Sequence, residues 1–193
     1  DAEGVTDAGM VGTVAVPAGV ADVIRQRLRG LPPATMELLQ VAALAGRDLD
    51  VGLVSAVLDR PLDECIDDLD AAVEHRLLVD GGPFNMMRFS HTLVREVVEG
   101  ELSPLRRART HLAIADAIIA SGRDDQVEIV AEHLWAAVPV GAARRAADAL
   151  DRAAQVAIRR FAVGAASGML ERSLQLRRAV GGGAAGSNAE LDS

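Results

Sequence analysis

Residues 77–89 read LLVDGGPFNMMRF, two short apolar runs on either side of a Gly-rich turn that also contains Pro. Such a pattern predicts a small β-hairpin, with strands at Leu77-Leu78-Val79 and at Met86-Met87-Arg88-Phe89. On both sides of this stretch the apolar residues recur at helical spacing instead. The sequence therefore predicts a mainly α protein in which one hairpin lies between two helical regions.

Before the hairpin, apolar spacing predicts four helices, whose ends are marked by Pro, by Gly and by a capping Asp50. They cover residues 20–31, 33–46, 51–58 and 62–76. The last three and the hairpin follow the order of a winged helix-turn-helix, and a further helix is predicted at residues 91–102. We therefore assign residues 18–102 to a winged-helix domain and interpret residues 1–17 as a linker or the remnant of a preceding domain.

Beyond Ser103-Pro104 the chain is helical throughout, with apolar stripes within residues 105–119, 127–138, 146–161 and 166–180. These helices are expected to pair into helical hairpins over residues 103–180, of the tetratricopeptide-like kind. Small residues at the facing positions of the last pair, Ala165 among them, would allow close approach. A generic Ala-rich bundle stays open as the alternative. The tail, residues 181–193, is expected to be flexible.

Composition argues against catalysis. The 193 residues contain 20 Arg and no Lys, which excludes lysine Schiff bases and a lysine-containing phosphate loop. Cys65 is the only cysteine, so an intrachain disulfide is impossible, and its place on the stripe Leu62, Cys65, Ile66, Leu69, Ala72 and Val73 predicts a buried structural thiol. We expect no enzyme activity and no cofactor of the chain's own.

Metal binding, membrane insertion and secretion find no support either. The four histidines lack the spacing of a helical zinc site, although a mixed site of His and carboxylate side chains stays open. His75 and His133 are interpreted as helix-surface residues. No apolar run approaches the roughly 20 residues that span a bilayer. The start of the chain lacks the features of a signal peptide. A cytoplasmic location without membrane contact is expected.

The two helical regions carry opposite charge. Residues 18–102 contain 8 Arg and 15 acidic residues, a net charge of −7, whereas residues 103–180 contain 12 Arg and 8 acidic residues, a net charge of +4. Attraction between the halves, or of each half to a different neighbour, is therefore expected.

The helix in the DNA-recognition position, residues 62–76, is strongly acidic. Its polar face carries Asp63, Glu64, Asp67, Asp68, Asp70 and Glu74. Phosphates repel such a face, and the residues that read base edges are missing. The sequence thus disfavours direct DNA binding and predicts a protein contact through Asp63, Asp67 and Asp70. The complementary contact residues are Arg106, Arg107 and Arg109. Trp135 and Phe161 are expected in the core, which leaves the Arg pairs of the second region without stacking aromatics for nucleic acid.

The run FSHTLVRE at residues 89–96, followed by ELSP at 101–104 and RRAR at 106–109, resembles a stretch in the STAND class of signal-transduction ATPases. More narrowly, it is similar to the large LuxR-type, MalT-like transcriptional regulators. Residues 16–28 and 38–43 resemble the junction from the ATPase lid into the winged helix of that class. In these proteins an ATPase module precedes a winged helix and tetratricopeptide-like helices, and the resemblance covers about residues 17–180.

The resemblance implies a regulatory transmission module of an ATP-dependent bacterial transcriptional regulator. Its winged helix would contact the ATPase module of the same polypeptide, which binds ATP or ADP outside this chain, and its repeats would respond to a protein or small-molecule inducer. His91 corresponds to the histidine of the Met-His-Asp motif that senses the diphosphate of ADP in the NB-ARC branch; a helix cap is the alternative role. A free-standing winged-helix DNA-binding transcription factor and a helical-repeat adaptor remain the alternative functions.

Overall fold

The computed structural model describes residues 18–46, 48–81 and 87–187, and this part of the chain is mainly helical with a small antiparallel sheet. The first half consists of α1 Ala18–Leu28, α2 Pro33–Ala45, β1 Asp48–Leu49, α3 Val51–Leu58, α4 Leu62–Glu74, β2 Leu78–Asp80, β3 Met87–Phe89 and α5 Thr92–Gly100. The second half consists of α6 Pro104–Ala120, α7 Val127–Ala136, α8 Ala143–Arg159 and α9 Val163–Ser187. Short 3-10 turns flank α7, at Asp124–Gln126 and Val138–Val140.

The sheet confirms the predicted hairpin strands and adds a third strand. β3 lies in the middle, antiparallel to both β1 and β2, so that the order is β1-β3-β2. Phe89 pairs with Leu78, and Arg88 pairs with Asp48 on the other side. The turn predicted around Gly82 and Pro83 lies outside the described residues. β1 was not predicted, because two residues are too few to show an alternating pattern.

The core of the first half surrounds α2, which is apolar on nearly all sides and packs against α3, α4, α5 and α6. Leu38 and Leu39 of α2 are fully buried, together with Val54 of α3 and Cys65 of α4. The buried structural thiol predicted for Cys65 is thus confirmed. Each fully buried aliphatic side chain of this kind contributes about 1.5–3 kcal/mol through the hydrophobic effect.

In the second half, α6 packs on α7, α7 on α8 and α8 on α9, as expected for helices that pair into helical hairpins. Alanines line the packed face of α8, where Ala146, Ala147, Ala149, Ala153, Ala154 and Ala157 are buried. Small side chains let α9 come close enough for the Ser173 hydroxyl to donate to the backbone oxygen of Ala147 at 3.3 Å. Ala165, expected at this interface, is exposed; Ala166 is the residue that packs there.

The two halves share one hydrophobic core, which continues from α1 through α8 to Leu176 on α9. α6 makes the connection, because it packs on both α2 and α3. An ion pair also joins the halves, with the Arg123 guanidinium 2.7 Å from the Asp50 carboxylate. Asp50 caps α3 as predicted, by accepting a hydrogen bond from the backbone N–H of Leu53 at 3.1 Å.

Phe161 differs most from the prediction, since it is 89% exposed and not part of the core. It follows the last turn of α8 in the left-handed conformation, with φ at 60°. The backbone N–H of Ala162 bonds to the oxygen of Ala157, and that of Phe161 to Ile158, which closes the helix in a Schellman motif. A residue at this position points its side chain away from the packed face. α9 also continues through the first part of the predicted flexible tail, to Ser187.

We expect Phe161→Gly to be more stable than Phe161→Ala by about 1 kcal/mol in urea unfolding, because only Gly adopts this conformation without strain. The wild-type chain should resemble Phe161→Ala, since the exposed ring contributes little packing. A loss of more than 2 kcal/mol in both variants would instead show that the ring is packed.

Candidate functional site: the acidic helix and the groove beside His91

α4 presents the predicted acidic surface. The helix begins after Pro61 and buries Cys65, Leu69 and Ala72 against the core. Its end is closed by a hydrogen bond from the Leu77 N–H to the Ala72 oxygen. This orientation leaves the carboxylates of the opposite face in solvent, namely Asp63, Glu64, Asp67, Asp70 and Glu74.

An apolar ridge that the sequence did not predict runs along the same helix. Leu62, Ile66 and Val73 belong to the stripe that was expected to be buried, yet they are 48, 43 and 39% exposed. Ile66 follows Leu62 by four residues and Val73 follows Ile66 by seven. The three side chains therefore share one side of α4, next to the row of carboxylates. The stripe was too wide for the surface that α2 and α3 cover. α4 thus exposes apolar and acidic side chains together.

Asp68 is the exception among the carboxylates, because it is bound within the fold. Its Oδ1 accepts a hydrogen bond from the buried Thr35 hydroxyl at 2.6 Å, and its Oδ2 lies 2.8 Å from the Arg60 guanidinium. Arg60 also lies 3.5 Å from Glu64. Arg60 is therefore a local counter-ion that leaves Asp63, Asp67 and Asp70 to other partners.

His91 caps α5, the alternative role that the sequence left open. Its Nδ1 accepts a hydrogen bond from the backbone N–H of Leu93 at 3.1 Å. In this tautomer the proton lies on Nε2, which can donate to an external acceptor. The exposed ring lines a groove of about 500 Å³ together with Val79, Arg88, Phe89, Ser90, Thr92 and Arg95.

The groove beside His91 is suited to an anion. Arg88 is exposed on β3, and the N-terminus of α5 adds its positive partial charge. Arg95 is held in place because its Nε donates to the backbone oxygen of Ala43 at 2.8 Å and to the Glu99 carboxylate at 2.9 Å. Ser90 is engaged elsewhere, since its hydroxyl donates to the oxygen of Arg76.

The three arginines predicted as contact residues lie at the start of α6, but their side chains have different surroundings. Arg106 and Arg109 are exposed in a groove of about 380 Å³ between α2, α3 and α6, which also contains Glu37. Arg107 is half-buried and donates to the backbone oxygen of Glu99 at 2.7 Å. Within the described residues, no ion pair joins these arginines to the carboxylates of α4.

Arginines of the later helices bind acidic residues on neighbouring helices. The pairs are Arg145 with Asp116, Arg160 with Glu128, Arg172 with Glu132, and Arg177 with both Asp148 and Asp151. The nearby Ser173 hydroxyl and the Arg177 guanidinium lower the pKa of Asp151 against the opposing effect of burial. The Arg172 guanidinium also lies over the ring of Trp135, which packs on the core as predicted. These pairs reduce the positive charge that could attract nucleic acid.

Two histidines that the sequence treated separately are in contact. The Nδ1 atoms of His111 on α6 and His133 on α7 are 2.8 Å apart. His133, interpreted as a surface residue, is only 6% exposed, so that interpretation was wrong. A contact between residues on different helices leaves no spacing signal in the sequence.

Two further observations limit the chemistry of residues 18–46, 48–81 and 87–187. Nowhere in these ranges do three or more His, Cys, Asp or Glu side chains form a group that could hold a metal ion. No helix there is both long and apolar enough to cross a membrane.

We expect Asp68→Ala to lower the free energy of unfolding by about 2 kcal/mol in urea titrations, because Thr35 and Arg60 lose a charged partner. Asp67→Ala, the matched control on the same helix, should change it by less than about 0.5 kcal/mol. Equal losses in the two variants would contradict the distinction between a carboxylate of the fold and those of the surface.

Comparisons with known proteins do not add to this site. No protein-family model, no curated protein and no solved structure matches the chain.

Proposed function

We propose that the chain is the regulatory transmission module of an ATP-dependent bacterial transcriptional regulator of the STAND class. Its role is to make protein contacts that couple the nucleotide state of an ATPase module in the same polypeptide to the sensing of a signal. The observation that carries the proposal is the acidic and partly apolar face of α4, in the position where a DNA-binding winged helix would carry its recognition helix.

The order of elements supports a winged helix. α2, β1, α3, α4, β2 and β3 follow one another along the chain, and β3 pairs between β1 and β2. This order is the one expected of a helix-turn-helix with one hairpin wing, in which α4 would be the recognition helix. Helices α6 to α9, packed each on the next, support a tetratricopeptide-like region after it.

α4 would bind a protein surface that carries both arginine and apolar side chains. Contact with Leu62, Ile66 and Val73 removes apolar surface from water, at about 25 cal/mol per Å². Carboxylates along the border would select a basic partner and oppose an acidic one. We assign this surface to the ATPase module, whose arginines would meet Asp63, Asp67 and Asp70.

The groove beside His91 would receive a phosphate of ATP or ADP bound to that module. The His91 Nε2–H and the Arg88 guanidinium are suitable donors to phosphate oxygens, as is the Thr92 hydroxyl at the start of α5. Loss of the γ-phosphate, or exchange of the nucleotide, would change these contacts and hence how tightly the winged helix is held. The nucleotide thereby biases an equilibrium between two arrangements.

The shared core supports transmission between the halves. An inducer, a protein or a small molecule, would bind on α6 to α9, and α6 is packed directly on α2 and α3. Binding energy that differs between the two arrangements would shift their populations, which is the thermodynamic content of allostery. Such a protein would work in the bacterial cytoplasm.

The direct test reverses charge on α4 in the polypeptide that carries the ATPase module. We expect Asp63→Arg, Asp67→Arg and Asp70→Arg together to accelerate release of a fluorescent ADP analogue at least fivefold, because repulsion weakens the contact. The control combines Asp22→Arg, Asp125→Arg and Glu171→Arg, exposed carboxylates elsewhere with the same total charge change. Unchanged release in the α4 variant, or equal acceleration in both variants, would refute the proposal and favour a helical-repeat adaptor.

Free-standing DNA binding is the second candidate, since the order of elements is the one expected of a DNA-binding winged helix. We expect no binding of the chain to mixed-sequence duplex DNA in a fluorescence anisotropy titration at about 50 mM salt, where electrostatic attraction is strongest. Micromolar affinity that falls steeply by about 200 mM salt would contradict this expectation and support the DNA-binding factor.

A further inference from the structure

The contact between His111 and His133 lies inside the first helical pair of the second half. His111 is half-buried on α6, and His133 is buried on α7. Their Nδ1 atoms are 2.8 Å apart, and the ring centroids are separated by 5.0 Å with the planes inclined at 42°. The geometry is that of a hydrogen bond between imidazoles, not of stacked rings.

Such a hydrogen bond requires at least one unprotonated ring. In the neutral pair, one Nδ1–H donates to the lone pair of the other Nδ1. When both rings are protonated, two N–H groups face each other at a distance that no hydrogen bond can use. Two positive charges would also lie together in a poorly solvated place.

Charged groups around the pair offer no compensation. On α6, Arg107 adds a positive charge that acts on His111. The acidic residues on these helices are engaged elsewhere: Asp116 with Arg145 of α8, Glu128 with Arg160 at the end of α8, and Glu132 with Arg172 of α9. From the other elements packed against α6, Asp50 at the start of α3 binds Arg123, and Glu37 of α2 lies in the groove with Arg106 and Arg109.

We propose that the His111–His133 pair is a proton-sensitive contact, which holds α7 on α6 at neutral pH and weakens as the pH falls towards 4. α6 is packed on the first half, whereas α8 and α9 follow α7. Protonation of the pair would therefore loosen the later helices from the rest of the molecule.

The pKa values of both histidines are shifted in the direction that the proposal requires. Burial lowers the pKa of His133 to about 4, with a further contribution from His111. Burial, followed by repulsion from Arg107, also lowers the pKa of His111. The folded chain thus binds fewer protons than the unfolded chain below pH 6.5, so stability is complete above that pH and is lost as the pH falls towards 4. The pKa values of Asp50 and Asp151 are also lowered. Because the ordinary pKa of an Asp carboxyl is 3.8, these two groups change the stability of the fold mainly at lower pH than the histidines do.

The test compares urea unfolding at pH 7 and pH 5. From His133 alone, the folding equilibrium constant should fall about twentyfold between these two values. The double variant His111→Leu and His133→Leu should lose at least this part of the pH dependence, because neither position can then bind a proton. His75→Gln, which removes an imidazole far along the chain on the turn after α4, should retain it. A double variant with the wild-type pH dependence would overturn the proposal.

A second measurement covers the case in which the double variant does not fold. We expect the imidazole carbon and proton resonances of His133 in the wild-type chain to stay unchanged between pH 7 and pH 5. The protection factors of the α7 amides, which correct hydrogen exchange for its intrinsic pH dependence, should fall more between pH 7 and pH 5 than those of the α2 amides. A His133 titration midpoint near 6.5, or an equal fall in protection in both helices, would refute the proton-sensitive contact.

Discussion

The rest of the structure depends on the burial of α2. This helix is apolar on nearly every side, so it is stable only where other elements surround it. α3, α4 and α5 cover it within the first half, and α6 covers it from the second. One helix therefore sets the position of the acidic surface, of the helix that His91 caps and of the later helices. A change in the packing of α2 would therefore alter the positions of all three.

The same arrangement explains how α4 serves two purposes. Asp68 and Cys65 face inward, where the carboxylate binds Thr35 and the thiol fills the core. The remaining carboxylates and the apolar ridge face solvent, so the surface can be changed without disturbing the core. Substitutions on the exposed side of α4 are thus expected to leave the stability of the fold unchanged, whereas substitution of Asp68 is not.

Much of the first half could be predicted from local signals. Asp50, the hairpin strands and Ser103 at the start of α6 were identified correctly, because caps, turns and apolar periodicity act over a few residues. The Schellman ending of α8 could not be predicted, since Phe161 occupies a position that usually holds Gly.

The candidate site was predicted less completely than the fold. The exposed carboxylates of α4 and the capping role open to His91 follow from sequence, whereas the ridge of Leu62, Ile66 and Val73 does not. Periodicity shows which residues share a side of a helix but not how wide a surface its neighbours cover. The pairing of His111 with His133, 22 positions apart, is likewise a product of tertiary packing.

The buried Cys65 has a practical consequence. It is the one thiol in the chain and lies fully covered on the packed side of α4, where burial raises its pKa. A thiol reagent can react there only when the helix separates from α2. The rate of modification would therefore report the local opening free energy of α4, without an introduced label site. Slower modification of Cys65 in the presence of a ligand or partner would therefore show that it stabilises the packing of α4.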